Sequence, residues 1–178
     1  DVYKRQDEWR EDPNMINDVM RFLDNVLSDF INKAPDQFKD AKYSAERERS
    51  VGLGVMGFHS FLQKHRIPLE SVMAKSWNKK IFKQIDEQVN KASKDLAEER
   101  GACPDAAEYG FNERFSNKTA IAPTASISII CGGASPGVEP IAANSYTHKT
   151  LSGSFNERNR YLEEILESHG KNDDETWS

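Results

Sequence analysis

Hydrophobic positions in this chain recur mostly at helical spacing. In "EDPNMINDVMRFLDNVLSDFINK" the residues Ile16, Val19, Leu23, Val26, Phe30 and Ile31 fall on one stripe. That period predicts an amphipathic helix with the stripe against a core. Asp12 is placed to cap it, and Pro13 suits the first helical position. A longer helix is predicted over "SVMAKSWNKKIFKQIDEQVNKASKDLAEERG", with Ser71 or Ser76 as cap and Gly101 as stop. Its apolar stripe is Ile81, Ile85, Val89, Ala92 and Leu96. "NERNRYLEEILESHG" predicts a last helix, capped by Asn156, burying Leu162, Ile165 and Leu166 and stopped by Gly170. The intervening "APDQFKDAKYSAERERS" and "GACPDAAEYGFNERFSN" show no such stripe. They are read as a charged connection, with Arg47 and Arg49 in solvent, and as a loop.

One region departs from this rhythm. From Asn117 to Phe155 the chain runs through hydroxyl residues, β-branched residues and glycines, with no charge between Lys118 and Glu139. "KTAIAP" and "SISIIC" read as short strands joined by a Pro-Thr-Ala-Ser turn, because Ser126, Ile127, Ser128 and Ile129 alternate with the period of a half-buried strand. A turn of small residues leaves backbone N–H groups open, and Thr124, Ser126 and Ser128 add hydroxyl donors. Neutral donors converging without a carboxylate suit a phosphate group. A structural loop whose hydroxyls satisfy their own backbone fits the same residues equally well.

Composition narrows the function classes. The 178 residues are 37% hydrophobic and 30% charged with a net charge of −5, enough for one domain. The mean hydropathy of −0.74 leans polar, as in a helical piece of a larger assembly. An acidic balance argues against a protein that coats nucleic acid. No apolar run reaches the length of a membrane span and no signal peptide opens the chain, so no membrane role is expected. Cys103 and Cys131 make neither a disulfide scaffold nor a zinc set, and point to a reducing, cytoplasmic setting. The opening "DVYKRQ", without Met, and the close "DDETWS" lead us to read the chain as a fragment.

Gly52, Gly54 and Gly57 have the G-x-G-x-x-G spacing of a dinucleotide loop. The stretch before them is charged rather than strand-like, and the acidic residue expected about twenty positions on is missing. Close packing of backbone on a neighbouring helix or strand explains these glycines better. His59 and His65 have no partner at metal-ligand spacing, and no metal ligands are assigned.

Taken together, "IAPTASISIICGGASPGVEP" and "ANSYTHKTLSGSF" resemble the large, catalytic subunit of class I ribonucleotide reductase, in the version found in bacteria and phages. "ERERSVGLGVMGFHSFL", "ASKDLAEERGACP" and "NERNRYLEEIL" extend the resemblance from about Pro13 onward and leave residues 1–6 unmatched. The resemblance implies an α/β fold: a helix-rich fragment of the family's ten-stranded α/β barrel, with residues 1–178 as a single partial domain. It also implies radical reduction of ribonucleotides to deoxyribonucleotides. By carry-over, Thr124, Ala125, Ser126, Ile127 and Ser128 line the phosphate end of a ribonucleoside diphosphate, with Ala125 and Ile127 contributing only amides. The family's familiar loop is Pro-Ser-Glu-Thr-Ser-Ser, so this chain departs from it at several positions.

No catalytic residue is assigned here. The family's radical cysteine stands in Asn-x-Cys-x-Glu, which this chain lacks, and neither Cys103 nor Cys131 matches a redox cysteine. The expected partners are a radical-generating small subunit holding the metal-radical cofactor, thioredoxin or glutaredoxin, and a second large subunit. ATP and deoxynucleotide effectors are expected to bind elsewhere. Two alternatives are the cobalamin-dependent class, whose loop also runs Pro-Thr-x-x-Ile-Ser, and a non-catalytic phosphate- or nucleotide-binding module. A hydrolase built on Ser126, His148 and Glu139 has the residue types but no nucleophile-elbow spacing.

Overall fold

The computed structural model describes the backbone of residues 12–150 and 153–177, with side chains for all of these except 148–150 and 155. Residues 1–6, to which the resemblance was not extended, lie outside the described residues. The order is α1 (Met15–Lys33), a 3-10 turn (Asp36–Phe38), α2 (Lys39–Glu48), α3 (Phe58–Lys64), α4 (Val72–Arg100), α5 (Pro104–Glu108), α6 (Ala125–Ile130), β1 (Ser145–Thr150), β2 (Gly153–Arg158), α7 (Arg160–Ser168) and α8 (Asp174–Trp177).

The long helix α4 forms where its period predicts. Ser71 Oγ accepts the Ala74 N–H at 3.1 Å, and Gly101, at φ +88°, ends the helix with its amide on the Ala97 carbonyl. Ile81, Ile85, Val89, Ala92 and Leu96 are all buried, against Ile16 and Met20 of α1, Phe61 and Leu62 of α3, and Phe115.

Helix α1 forms too, but on a different face. Its buried residues are Ile16, Met20 and Asp24, whereas Val19, Val26 and Phe30 of the expected stripe are exposed. Its start also shifts. Asn14 is the N-cap, and Asp12 Oδ1 instead accepts the Asn14 N–H at 2.9 Å, so Pro13 stands ahead of the helix.

Asp24 explains the rotation of α1. Its carboxylate has no solvent exposure and receives Arg49 at 2.7 Å, Arg100 at 2.8 Å and Arg114 at 2.8 Å. Arg49 thus lies buried rather than in solvent, and its Nη2 also donates to the Asp24 carbonyl and to Ser28 Oγ. It adopts φ +44° at the C-cap of α2, the helix that replaces the predicted connection. Residues 39–48 are rich in good helix formers without an apolar stripe, so propensity rather than pattern marks them. Arg47 is ion-paired with Asp105 and Glu108 on α5, the short helix that Pro104 starts inside the predicted loop.

Two extended segments lie parallel, bridged at Leu53 and Thr119. Val51 N donates to Asn117 O, Leu53 N to Lys118 O and Ala120 N to Leu53 O, each at 3.0 Å. This is where Gly52 and Gly54 act. A Cβ on Gly52 would lie 2.8 Å from Ala120 Cβ, and one on Gly54 2.6 Å from the Ala120 carbonyl oxygen. Gly57 caps α3 at φ +82°. The glycine spacing therefore serves close backbone approach.

"SISIIC" does not form a strand; residues 125–130 are helical. Further on, β1 and β2 pair antiparallel with Ser145 opposite Arg158 and Thr150 opposite Gly153. Because β2 runs through Arg158, Asn156 is a strand residue and Asn159 caps α7, accepting the Tyr161 N–H at 3.2 Å. Tyr161 takes the buried position of that helix; Leu162 and Leu166 are half-buried and Ile165 is exposed. Gly170 stands just past the end of α7 at φ +65°, as expected.

Burial pushes the Asp24 carboxyl up, but hydrogen bonds from Arg114, Arg100 and Arg49 outweigh it and hold the group below the ordinary value of 3.8. The unfolded chain therefore takes up a proton at a pH where the folded one does not. This contribution is complete above about 3.8 and is lost as pH falls through the lower folded value. Asp24→Ala leaves three guanidinium groups around an uncompensated site and is expected to cost about 3–5 kcal/mol in equilibrium denaturation at pH 7. The acid limb of stability near pH 3 should flatten in the same variant.

Candidate functional site

The neutral segment folds as a loop around α6. Thr124, at φ +51°, precedes the helix, and its Oγ1 accepts the Gly137 N–H at 2.8 Å. Ser128 is buried; its N–H donates to Thr124 O and its Oγ donates to Ala125 O at 3.0 Å. Ser126 and Ile127 are exposed. As the first turn of α6, Ala125, Ser126 and Ile127 have amides that no intrahelical carbonyl reaches. No acceptor for these amides is found among the described residues. Of the five residues expected to meet a phosphate, three thus keep open amides. Ser126 adds an exposed hydroxyl, Thr124 keeps its hydroxyl proton, and Ser128 turns inward.

The loop is fixed to α3 by a reciprocal pair that its sequence did not reveal. Ser60 N donates to Ser135 Oγ at 3.0 Å, Ser135 N donates to Ser60 Oγ at 2.8 Å, and Gly57 N donates to Ser135 O at 2.8 Å. Both serines are buried. Ser135 therefore caps the N-terminus of α3 from 75 residues away in the chain. Arg160 secures the far end of the loop, with Nη2 at 2.7 Å from the carbonyls of both Gly132 and Gly133. Cationic donors are favourable beside carbonyls at a helix C-terminus.

His59 completes the fixture. Its Nδ1 accepts the Ile141 N–H at 3.2 Å, which leaves the proton of the neutral ring on Nε2. Burial lowers its pKa below the ordinary 6.5. His65 rests on the Phe61 ring, with centroids 4.7 Å apart. Among the described residues no three His, Cys, Asp or Glu side chains gather as a metal set, and no helix is long and apolar enough to cross a membrane. Cys103 is buried and Cys131 half-buried, both as free thiols. Ser126 has no hydrogen-bonded base among the described residues, and the side chain of His148 lies outside them.

Ala125 and Ser128 also line a cleft of about 670 Å³ shared with Gln63, Tyr146, Asn159 and Tyr161. The Gln63 Oε1 and Tyr161 Oη atoms are buried there without a hydrogen-bond partner among the described residues. A second cavity of about 600 Å³, lined by residues such as Ile16, Leu23, Gly54, Phe58 and Ile85, is mainly apolar.

The loop, its donors and the parallel pairing around Leu53 and Thr119 can be set beside known proteins. Residues 2–113 and 104–177 match the family described as ribonucleotide reductase, barrel domain. The chain belongs to that family. It is 47% identical over 174 residues to the ribonucleoside-diphosphate reductase large subunit of Invertebrate iridescent virus 6, covering 97% of this chain and 18% of that protein. The vitamin B12-dependent ribonucleoside-diphosphate reductase of Thermoplasma acidophilum is 37% identical, over 82% of this chain and 21% of that protein.

Among solved structures, the class Id ribonucleotide reductase alpha subunit of Actinobacillus ureae superposes with a TM-score of 0.82 at 36% identity. That match takes in 96% of this chain and 31% of the other. The fold is accordingly a helix-rich part of the reductase alpha-subunit barrel. The chain spans less than a third of the length of these relatives.

The paired serines and His59 make separate predictions. Ser135→Ala leaves the Ser60 amide unpaired in a buried site and should cost about 1–3 kcal/mol by denaturant titration. His59 titrates lower when folded, so its contribution is complete above about pH 6.5 and is lost as pH falls below it. Protonation also turns Nδ1 into a donor facing the Ile141 N–H. Exchange protection of the Ile141 amide should therefore fall between neutral pH and pH 5, and should become pH-insensitive in His59→Gln.

Proposed function

We propose that this chain is part of the large, catalytic subunit of a class I ribonucleoside-diphosphate reductase. In this reading it is one partial domain of the barrel, and its loop Thr124–Ser128 receives the substrate diphosphate. The observation that carries the reading is the run of three open amides at Ala125, Ser126 and Ile127 beside two available hydroxyls, with no carboxylate in the segment. Such donors offset phosphate charge without moving when the ligand arrives. Ala125 and Ile127 act through their amides, Ser126 through amide and hydroxyl, and Thr124 through its hydroxyl. Ser128 shapes the turn from behind.

Class I is supported by the higher identity to the iridescent virus large subunit and by the class Id superposition. The relation to a vitamin B12-dependent enzyme keeps one specific alternative in view. For the class I enzyme, the radical comes from a small subunit carrying a metal-radical cofactor. Electrons come from thioredoxin or glutaredoxin, and ATP or deoxynucleotides bind as effectors outside this chain. The large subunit pairs with itself and works in the cytoplasm.

The large exposed residues Phe22, Val26, Val72, Ile121 and Ile130 suit burial against the rest of that barrel. Reduction by the full-length enzyme should require the small subunit and be indifferent to adenosylcobalamin; the reverse dependence would move it to the other class.

Ser126→Asp places a carboxylate beside the three amides while altering only an exposed position. The KM of the full-length enzyme for cytidine diphosphate should rise tenfold or more, about 1.4 kcal/mol in binding, with folding stability changed by about 0.5 kcal/mol or less. An unchanged KM would remove the loop from the substrate site.

A further inference from the structure

Cations gather on a surface that shares no residue with the loop at Thr124–Ser128. From Lys64 to Lys83 the chain carries Lys64, Arg66, Lys75, Lys79, Lys80 and Lys83 against the single carboxylate of Glu70, in a protein of net charge −5. All six cations are exposed. Elsewhere Arg47, Arg49, Arg100, Arg114 and Lys118 each hold a carboxylate. Of the four lysines on the first half of α4, only Lys83 does so among the described residues, with Glu87 at 3.7 Å. Lys80 instead stands 5.0 Å from the centre of the Trp77 ring.

The helix itself does not ask for these lysines. α4 has no acidic residue in its first turn, and Lys75, Lys79, Lys80 and Lys83 follow where its dipole disfavours cations. Its carboxylates Asp95, Glu98 and Glu99 stand near the opposite end, again against the dipole. Spacing of four residues sets Lys75, Lys79 and Lys83 in one row over about 12 Å, with Lys80 alongside. The face that carries them lies away from Ile81 and Ile85, which are buried in the core. Leu69 and Met73 are exposed at the start of the row. A row of like charges that neither the helix nor an internal carboxylate offsets is placed for a charge from outside.

We propose that this face of α4 docks an acidic segment of a partner protein, a short helix with carboxylates one turn apart and an apolar residue beside them. Carboxylates at that pitch match the lysine row, and an apolar residue reaches Leu69 and Met73. A lipid surface fits less well. Basic helices lie on membranes by inserting their apolar face, and that face of α4 is in the core. A nucleic acid also fits less well, because a polyanion longer than the row meets a protein with an excess of carboxylates.

The test titrates a fluorescein-labelled helical peptide, with four glutamates one turn apart and two leucines, with the full-length protein carrying this chain. Anisotropy should rise to saturation, and the Kd should weaken about fivefold or more between about 0.05 and 0.3 M salt. Lys75→Glu with Lys79→Glu should weaken binding about tenfold or more. That variant should melt no lower than the parent, since carboxylates suit this end of the helix and the one at 79 stands one turn before Lys83. Lys75→Gln with Lys79→Gln, and separately Met73→Ser, should each cost about threefold.

A parent protein that does not bind the peptide has this face covered or idle, and overturns the proposal. So does undiminished binding after the charge reversal, or equal binding of a peptide whose glutamates are replaced by glutamine. Vesicles of phosphatidylserine, or a DNA duplex, that bind the parent more tightly than the peptide would assign the face to a lipid or a nucleic acid instead. Should the charge reversal not fold, the glutamine pair decides, because it removes the same charges without adding new ones.

Discussion

One carboxylate organises the helical layer. Asp24 receives guanidinium groups from the end of α2, the end of α4 and the segment that follows α5. A buried ion pair of this kind does little for stability compared with a well-packed apolar contact, but it is unforgiving of partial loss. Three long cations can satisfy one carboxylate only if their three backbones stand in fixed places around it. Arg114 adds hydrogen bonds to the carbonyls of Arg100 and Gly101, where α4 ends. Position then passes along the chain. Phe115 enters the core, Ser116 N reaches Glu48 O, and residues 117–120 run parallel to residues 51–54. That pairing delivers Ala120 onto Gly52 and Gly54, with Pro123 and Thr124 immediately after. The turn at Thr124 is thus placed by a charge cluster that shares no residue with it.

The same interaction accounts for what the sequence left hidden. The face of α4 was legible because five apolar residues at helical spacing admit one solution. The face of α1 was not, because Val19, Val26 and Phe30 look like core residues and Asp24 does not. Reading Asp24 as buried requires Arg49, Arg100 and Arg114, which lie 25, 76 and 90 positions away. Arg49 was assigned to solvent for the same reason. Conversely, Gly52 and Gly54 showed that a backbone comes close without showing which one. The extended stretch they belong to carries no strand signature, since its contact is made by backbone on Ala120 rather than by side chains.

The candidate site was legible in chemistry and illegible in geometry. A segment of small neutral donors without carboxylates stands out in an acidic chain, and residues 124–128 lie at one turn. Their conformation was not foreseen. Alternating Ser and Ile from 126 to 129 reads as a strand, yet a helix is formed, because Ser128 bonds back to Ala125 O and Thr124 turns the chain left-handed before it. The β-branched isoleucines are then left on the surface: Ile127, Ile129 and Ile130 are all exposed. Propensity lost to a local hydroxyl bond and to the closure at Gly137, 13 residues on.

This arrangement divides labour among hydroxyl groups of similar chemistry. Ser60, Ser128 and Ser135 are buried; the oxygens of Ser60 and Ser135 bind each other's backbone amides, and that of Ser128 binds the Ala125 carbonyl of its own turn. They build the frame at the cost of their own access to any ligand. Thr124 stands at the border, accepting inward from Gly137, and Ser126 stands outside. A loop made only of outward donors would have little to hold its shape, since small residues bury little apolar area. A loop made only of inward donors would bind nothing. Thr124, Ser128 and Ser135 of the neutral segment bind the protein itself, which holds the turn that carries the amides of residues 125–127.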